Sequence, residues 1–172
     1  KNIVAWFNGR YEFGPRALGS RSFLADPRND NIRDEINDKI KKRELFRPFA
    51  PSVIKEECHN FFDIKQESPY MNIVANVHED KKKIIPAITH IDGTARVHSV
   101  SFESNPMYYN LLKKFGEETG IPVLLNTSFN IQEPIVSSPT DAIQTFLNSG
   151  VDLLVIGNYI CDIKWKNENL AK

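Results

Sequence analysis

Short apolar runs rich in valine, isoleucine and aromatic residues alternate along this chain with amphipathic segments that carry helix-capping residues. Apolar runs of about four to eight residues are typical of β-strands, whereas apolar residues recurring every three or four positions indicate helices. Because the two patterns alternate, the chain is expected to fold as a single α/β domain with a mixed sheet flanked by helices. The predicted strands are Ile3–Phe7, Pro51–Ile54, Asn72–Val77, Ala95–Phe102, Pro122–Asn126, Leu153–Ile156 and Tyr159–Trp165.

The first predicted helix is marked by isoleucines and the other two by their ends. Ile32, Ile36 and Ile40 recur every four residues on one face, with Asn29 or Asp30 as the expected N-cap. The remaining end signals are Asn105-Pro106 and Gly120 for the second helix, and Ser138-Pro-Thr-Asp141 and Gly150 for the third.

Bulk composition is that of an ordinary soluble domain. The 172 residues include 41% hydrophobic and 26% charged residues, and no apolar run approaches the roughly 20 residues of a membrane helix. Equal numbers of bases and acids, 22 each, argue against a nucleic-acid partner. Two isolated cysteines favour a reducing, cytoplasmic setting. The chain starts without methionine, so we expect it to be a piece of a longer polypeptide.

The arginines are unevenly distributed. Seven of the eight fall within the first 47 residues, and several stand between residues that normally build cores. A partly buried guanidinium needs an anion beside it, and guanidinium also binds phosphate or carboxylate through two oxygens at once. This segment therefore predicts a cleft for a small anionic ligand.

Two arginine motifs carry most of this prediction. Gly14–Gly19 is a constrained turn that presents Arg16, although Arg16 could instead pair with Glu12 or Asp26. Arg47 lies in Phe-Arg-Pro-Phe beyond the first helix, where the favourable effect of cations at a helix C-terminus no longer explains it.

Two downstream motifs add candidates. Asp92-Gly-Thr-Ala-Arg96 brings a turn into a strand that carries the last arginine. Asn126, Ser128 and Asn130 follow an apolar strand, a position at which α/β proteins often bind ligands. An ordinary Asn/Ser-rich turn explains the second motif equally well.

Several chemistries are excluded by missing motifs. The sequence has no GxxxxGK[ST] loop and no GxGxxG turn, so side-chain cations must neutralise any bound phosphate. Its four histidines lack metal-binding spacing, and no metal site is predicted.

The motifs FGPRALGSRSFLADPR, KKRELFRPFAPSV, HIDGTARV, LLNTSFN, EPIVSSPTDA and DLLVIGN resemble the C-terminal domain of the O-carbamoyltransferases, the family of NodU and of antibiotic carbamoyltransferases. The resemblance spans residues 3 to 160. It implies a YrdC-like twisted sheet and a domain, residues 1–172, that binds ATP and carbamoyl phosphate and forms carbamoyl-adenylate. Magnesium is expected with the ATP.

The resemblance also implies a partner within the same polypeptide. In that family an N-terminal domain binds the hydroxyl acceptor and an iron ion, and neither belongs to these residues. The implied catalytic residues are Arg16, Lys41, Arg47 and Arg96. The implied ligand-binding residues are Ser128, Asn126, Asn130, Arg21 and Arg43.

Three alternatives stay open. A threonylcarbamoyl-adenylate synthase of tRNA modification would share the fold and the cations, and would use threonine. A nucleotide-binding module would bind ATP and need its partner domain for turnover. A structural ion-pair network would use the seven acids of the same segment to neutralise the arginines.

Overall fold

Nine strands form one mixed sheet in the computed structural model, which describes residues 2–170, with side chains described as far as residue 167. The expected α/β architecture is confirmed. The strands are β1 Val4–Phe7, β2 Arg21–Ala25, β3 Ala50–Ile54, β4 Phe62–Asp63, β5 Ile73–Val77, β6 Thr94–Val100, β7 Val123–Ser128, β8 Leu153–Ile156 and β9 Tyr159–Cys161.

The strand order is β4-β5-β6-β3-β7-β2-β1-β8-β9. Two neighbouring pairs are parallel, β3 with β6 and β1 with β8, and the other pairs are antiparallel. In this arrangement the C-terminal end of β7 lies beside the N-terminal ends of β2 and β3, with Ala50 opposite Asn126 and Ser22 opposite Ser128. That end of the sheet is where the charged motifs meet.

Helices cover the sheet on both faces. They are α1 Ile32–Glu35, which continues as a π-helical segment Ile36–Lys41, then α2 Cys58–Phe61, α3 Glu79–Lys82, α4 Pro106–Thr119, α5 Pro139–Asn148 and α6 Ile163–Leu170. Short 3₁₀ turns occupy Lys55–Glu57 and Pro86–Ile88. Among residues 2–170, no helix combines the length and apolar content needed to cross a bilayer.

The predicted caps of the second and third long helices are confirmed. The Asn105 side chain accepts the Tyr108 N–H at 3.1 Å, and Gly120 ends α4 in the left-handed conformation. Ser138 and Asp141 form a reciprocal capping box at the start of α5. These short-range interactions depend on neighbouring residues alone, which is why the sequence predicts them.

Several expectations about element ends are wrong. The strand expected at Ala95–Phe102 ends at Val100, and the strand expected at Pro122–Asn126 continues to Ser128. The N-cap of α1 is Asn31 rather than Asn29 or Asp30, because the Asn29 side chain accepts the Asn31 N–H in a turn that precedes the helix. The strand expected at Tyr159–Trp165 ends at Cys161, because Asp162 accepts the Trp165 N–H and starts α6. The sequence reading also missed β2, whose five residues are all buried.

Alternation along the strands divides the core between the two faces. Phe23 and Leu125 belong to the larger apolar cluster, which includes the three isoleucines of the first helical segment. Leu24 and Leu124 point to the opposite face, where they join Tyr108 in a smaller cluster beneath α4. The smaller cluster supports the loop that joins β1 to β2.

Gly19 lets that loop lie directly on α4. Its φ is +94°, and a Cβ built there would meet the Tyr108 ring at 2.1 Å. The Gly19 carbonyl accepts the Trp6 indole N–H at 2.9 Å. Only glycine provides both the backbone conformation and the space.

We expect Gly19→Ala to destabilise the protein by about 2–5 kcal/mol, the sum of left-handed strain and overpacking against the Tyr108 ring. Gly14→Ala is the matched control, because Gly14 has φ +97° and nothing within 4 Å of the added Cβ. Gly14→Ala should lower the free energy of unfolding by only about 1–2 kcal/mol. Urea unfolding measures both, and equal losses would show that the ring contact contributes nothing.

Candidate anion-binding site

A cavity of about 270 Å³ opens at the end of the sheet where β7 ends and β3 begins. The β1–β2 loop, the segment between the π-helix and β3, and the start of β6 all contribute to its wall. The lining residues are Pro15, Arg16, Ala17, Arg43, Arg47, Pro48, Phe49, Ala50, Met71, Arg96, Asn126, Thr127 and Ser128. Of the residues that the structure describes, four arginines and no acidic residue line its wall.

Two of the four guanidinium groups, those of Arg43 and Arg96, are each affected electrostatically by a neighbouring arginine. Partial burial and the nearby Arg47 charge lower the pKa of Arg43, with Glu44 opposing them. Partial burial and the Arg16 charge lower the pKa of Arg96. Lowered values mean that the positive charge is under-compensated, which is the condition that favours a bound anion.

Ion pairing within the chain leaves these arginines largely free. Asp26 pairs with Arg28 and not with Arg16, and the Glu12 carboxylate binds backbone N–H groups instead. Among the described residues, no carboxylate lies within 4.0 Å of Arg16 or Arg96. The structural ion-pair alternative therefore does not apply to these two residues.

Arg43 and Arg47 are positioned by an amide. The Arg43 Nε donates to Asn37 Oδ1 at 2.7 Å, while Asn37 Nδ2 donates to the carbonyls of Leu45 and Arg47 at 3.1 and 2.9 Å. The Arg43 guanidinium also lies 4.9 Å from the Phe49 ring centre. The Arg47 Nε is 3.9 Å from Glu44, a long contact between two exposed side chains that contributes little.

Arg16 is positioned through the backbone of its loop. The buried Glu12 Oε1 accepts the N–H groups of Leu18, Ser20 and Arg21 at 2.8 to 3.0 Å. Three such bonds to one charged oxygen hold the loop in a single shape. The Arg16 side chain itself is exposed at the mouth of the cavity.

Asn126 connects this loop to the sheet. Its Nδ2 donates to the Ala17 carbonyl at 3.0 Å and to Ser52 Oγ at 2.9 Å. Ser52 Oγ lies 2.8 Å from Nδ1 of His98, a buried histidine of β6. Complete burial lowers the pKa of His98 to about 3, so its ring is neutral and Nδ1 can accept a hydrogen bond from the Ser52 hydroxyl.

Lys41 lies behind the cavity wall rather than in it. Its Nζ contacts the Ser128 and Asn130 carbonyls at 2.6 and 2.8 Å, and Ser128 Oγ and Asn130 Oδ1 at 3.2 and 2.9 Å. Ser128 Oγ in turn donates to Asn130 Oδ1 at 2.7 Å. The predicted residues Lys41, Ser128 and Asn130 are thus brought together, and Ser128 alone of the three lines the cavity.

Burial and the nearby Arg43 charge lower the pKa of Lys41 to about 7, with Glu133 opposing them. The π-helical segment ends at Lys41, and Lys42 follows with a φ of +47°. This backbone geometry points the Lys41 side chain towards the protein interior, whereas most lysine side chains face solvent.

Arg21 is separated from the cavity as well. Its guanidinium donates to the carbonyls of Asn8, Gly9 and Ser20 and lies 3.6 Å from the Phe7 ring centre. Burial lowers the pKa of Arg21, opposed by Glu12 and Tyr11. Its contacts are those of a side chain that holds the β1–β2 turn.

Two supporting residues, Glu12 and Asn37, were missed by the sequence reading. Glu12 was considered only as a salt-bridge partner, and Asn37 carried no local signal because its acceptors lie up to ten residues away. A larger cavity of about 530 Å³ beside α5 is lined by Glu133 and Asp141 and by no lysine or arginine, so it does not suit an anion.

Fold and site together define an α/β domain with an arginine-lined cavity whose chemistry suits a small anion. The sequence model for the family described as Carbamoyltransferase C-terminus matches residues 1–162, and the chain belongs to that family.

Named relatives agree with this assignment. The nodulation protein NolNO of Sinorhizobium fredii is 51% identical over 162 residues, 92% of this chain and 24% of that protein. Nodulation protein NolO of Bradyrhizobium diazoefficiens is 49% identical over 162 residues, 92% of this chain and 30% of that protein. A 3'-hydroxymethylcephem-O-carbamoyltransferase of Amycolatopsis lactamdurans is 39% identical over 157 residues, 91% of this chain and 30% of that protein. The chain therefore spans about a quarter to a third of these relatives.

Titration of Lys41 should make stability depend on pH. Between pH 7 and 10.5 the unfolded chain keeps a proton on Lys41 that the folded chain has lost, so stability rises with pH across this window. Relative to Lys41→Met, the slope should reach at most about 1.4 kcal/mol per pH unit.

Urea unfolding of both proteins from pH 6 to 11 measures this difference. Lys39→Met is the matched control, because Lys39 is an exposed lysine that pairs with Glu35 and its pKa is raised. The wild type should show no comparable rise relative to Lys39→Met. A difference between wild type and Lys41→Met that is independent of pH would mean that Lys41 keeps its proton in the fold.

Proposed function

We propose that this chain is the part of an O-carbamoyltransferase that binds carbamoyl phosphate and ATP and joins them into carbamoyl-adenylate. The observation that carries the proposal is the cavity with four arginines and no acidic residue, in a chain of the carbamoyltransferase family. Both proposed substrates are phosphorylated, and arginine is well suited to phosphate.

The size of the cavity indicates that only part of the two substrates would lie inside it. About 270 Å³ is slightly below the range of roughly 300–1,000 Å³ that encloses most of a drug-sized molecule. A carbamoyl group and one or two phosphates would therefore occupy the cavity, while the nucleoside extends towards its mouth. The exposed Arg16 and Arg47 stand where the remaining phosphates would lie.

The proposed chemistry balances in two steps. Water cleaves carbamoyl phosphate to carbamate and inorganic phosphate. A carbamate oxygen then attacks the α-phosphorus of ATP, forming carbamoyl-adenylate while pyrophosphate leaves. Each step gathers negative charge, and fixed guanidinium groups in a partly dry site stabilise such charge without reorganising.

Magnesium is proposed to enter with the ATP phosphates rather than through a protein site. Among the side chains of residues 2–167, no three of His, Cys, Asp or Glu cluster closely enough to hold a metal ion. Lys41 and the Ser128–Asn130 turn would act by holding the end of β7 in place against the bound phosphates.

The acceptor hydroxyl is proposed to bind elsewhere in the polypeptide. The relatives are three to four times as long as the stretch they share with this chain, which leaves room for an acceptor domain. We place the reaction in the cytoplasm, where ATP is available. If the acceptor domain is also needed to close the cavity, the isolated residues would bind ATP without turnover.

The similarity to a 3'-hydroxymethylcephem-O-carbamoyltransferase supports hydroxyl carbamoylation over tRNA threonylcarbamoylation. Threonine-dependent release of pyrophosphate from ATP and bicarbonate would reverse this preference. The absence of any threonine effect, together with pyrophosphate release driven by carbamoyl phosphate, would support the proposal.

Arg47→Ala tests the proposed role directly, because the exposed Arg47 side chain makes few contacts that the fold needs. Losing one charge-assisted contact should weaken carbamoyl phosphate binding by on the order of 10- to 100-fold. ATP–pyrophosphate exchange should fall below detection. Calorimetric titration and the exchange assay on the full-length polypeptide measure the two effects.

Arg33→Ala is the control, because Arg33 pairs with Asp34 and does not line the cavity. It should leave both quantities unchanged. An unaltered exchange rate in Arg47→Ala would refute the proposed role of Arg47.

A further inference from the structure

The outer part of the sheet, formed by β1, β8 and β9, is covered more completely on one side than on the other. Ala5 and Leu154 belong to the larger apolar cluster together with Phe146 of α5, and α5 and α6 contact these strands from that side. The opposite side carries Trp6 and Val155, and there α4 packs mainly against β3 and β7. The α4 side of β1, β8 and β9 is therefore only partly covered.

An apolar groove of about 390 Å³ lies on this side, between α4 and the strands. Its two polar lining residues are Asn2 and Asp26, and the Asp26 carboxylate is already paired with Arg28. The other nine lining residues are Val4, Trp6, Leu24, Ala25, Leu111, Phe115, Leu124, Leu153 and Val155. A groove with this lining suits apolar side chains and offers no unpaired charge to an ionic ligand.

The apolar surface continues from the groove to the edge of the sheet. Trp6 lies opposite Val155, and Val155 lies opposite Ile160 of the edge strand β9. Residues directly opposite one another share a face of the sheet, so these three form one row. The Ile160 side chain is 72% exposed. A continuous apolar surface of this kind marks an interaction site rather than scattered surface residues.

The longer relatives indicate what covers this surface. The family model describes a C-terminus and matches residues 1–162, and the chain spans 24% and 30% of the two nodulation relatives. In those relatives, most of the polypeptide therefore precedes the stretch that corresponds to β1. A polypeptide that precedes β1 joins it at Asn2, which lines the groove. Because such a connection is covalent, it keeps the preceding part at a high effective concentration beside the groove.

We propose that the groove and Ile160 form the surface on which the part of the full-length polypeptide preceding β1 docks, through an apolar segment. The inference rests on the preceding domain that the proposed function invokes and is independent of the chemistry at the arginines. Docking there reaches the anion cavity through one side chain. Trp6 lines the groove, and its indole N–H donates to the Gly19 carbonyl at the end of the loop that carries Arg16.

Two neighbouring residues of β9 provide a matched test. Ile160 faces the α4 side, whereas Tyr159 lies opposite Ile156 on the other side and is 75% exposed. Ile160→Cys and Tyr159→Cys are each made in the full-length polypeptide that also carries Cys161→Ser, and are labelled with a maleimide. The thiol at position 160 should react at least about 10-fold more slowly than that at position 159, because labelling must await opening of the interface. Mass spectrometry of the labelled peptides measures both rates, and urea midpoints establish that both variants are folded.

A second substitution tests whether the groove itself holds the docked segment. Leu111→Glu, added to the Ile160→Cys polypeptide, places a charge in the groove and should raise the labelling rate to that of the Tyr159→Cys polypeptide. Asn110→Glu is the control, because Asn110 is exposed on the same helix and does not line the groove. It should leave the slow labelling unchanged. If Leu111→Glu does not fold, the comparison of positions 160 and 159 decides.

The outcomes separate the possible occupants. Slow labelling at position 160 that is independent of protein concentration supports the proposal. Slow labelling that is lost on dilution would identify a second copy of the chain as the occupant and overturn it. Equal rates at the two positions, or slow labelling that persists in folded Leu111→Glu, also overturn it. Thiol labelling requires no substrate, so each of these results leaves the proposed function standing, and loss of that function would leave the labelling pattern unchanged.

Discussion

The structure of this domain depends on holding four positive charges close together with only one weak acidic neighbour, Glu44. Arg16, Arg43, Arg47 and Arg96 share one cavity, where burial and the Arg47 charge lower the pKa of Arg43, and burial and the Arg16 charge lower the pKa of Arg96. Left to itself, such a cluster would separate into solvent or collect carboxylates. The fold prevents both by binding the arginine-bearing segments through their backbones and through neutral groups, so the charges remain available to a ligand.

The supports follow a common pattern. Glu12, Asn37 and Asn126 each bind main-chain groups of a segment that carries an arginine or lies beside one. Glu12 is charged, yet it is occupied by three N–H groups and so does not neutralise the cavity. Lys41, which lies behind the cavity wall, likewise binds main-chain groups, the carbonyls at the end of β7. Preorganised charge of this kind is what transition-state stabilisation requires.

Sequence reasoning succeeded where the signal was local. The caps of α4 and α5 involve residues three positions apart. The arginine motifs are recognisable from the uneven distribution of arginine along the sequence. It failed where partners are distant. β2 was overlooked because it directly follows a glycine-rich loop and carries a charged residue, and its pairing with β1 and β7 reveals it only in three dimensions.

The same limit explains the site. Motif position identified the residues at the end of β7, but not which of them face the cavity. Lys41 and Arg21 are basic residues within the predicted motifs, but their side chains do not line the cavity. Lys41 ends the π-helical segment and points inward, and the Arg21 guanidinium donates to the carbonyls of Asn8 and Gly9. Charge is visible in a sequence, whereas the direction of a side chain depends on the backbone that carries it.

The pairing of β1 with β8 has a kinetic meaning. Four residues near one end of the chain form a parallel ladder with four residues about 150 positions later, and the Ile3 N–H donates to Asp152 at 2.7 Å. Closing so long a loop costs entropy before any bond forms, and such topologies fold slowly. During synthesis, β1 must wait for β8 before its second edge is covered. The strand that leads into the Arg16 loop is thus among the last to acquire both neighbours.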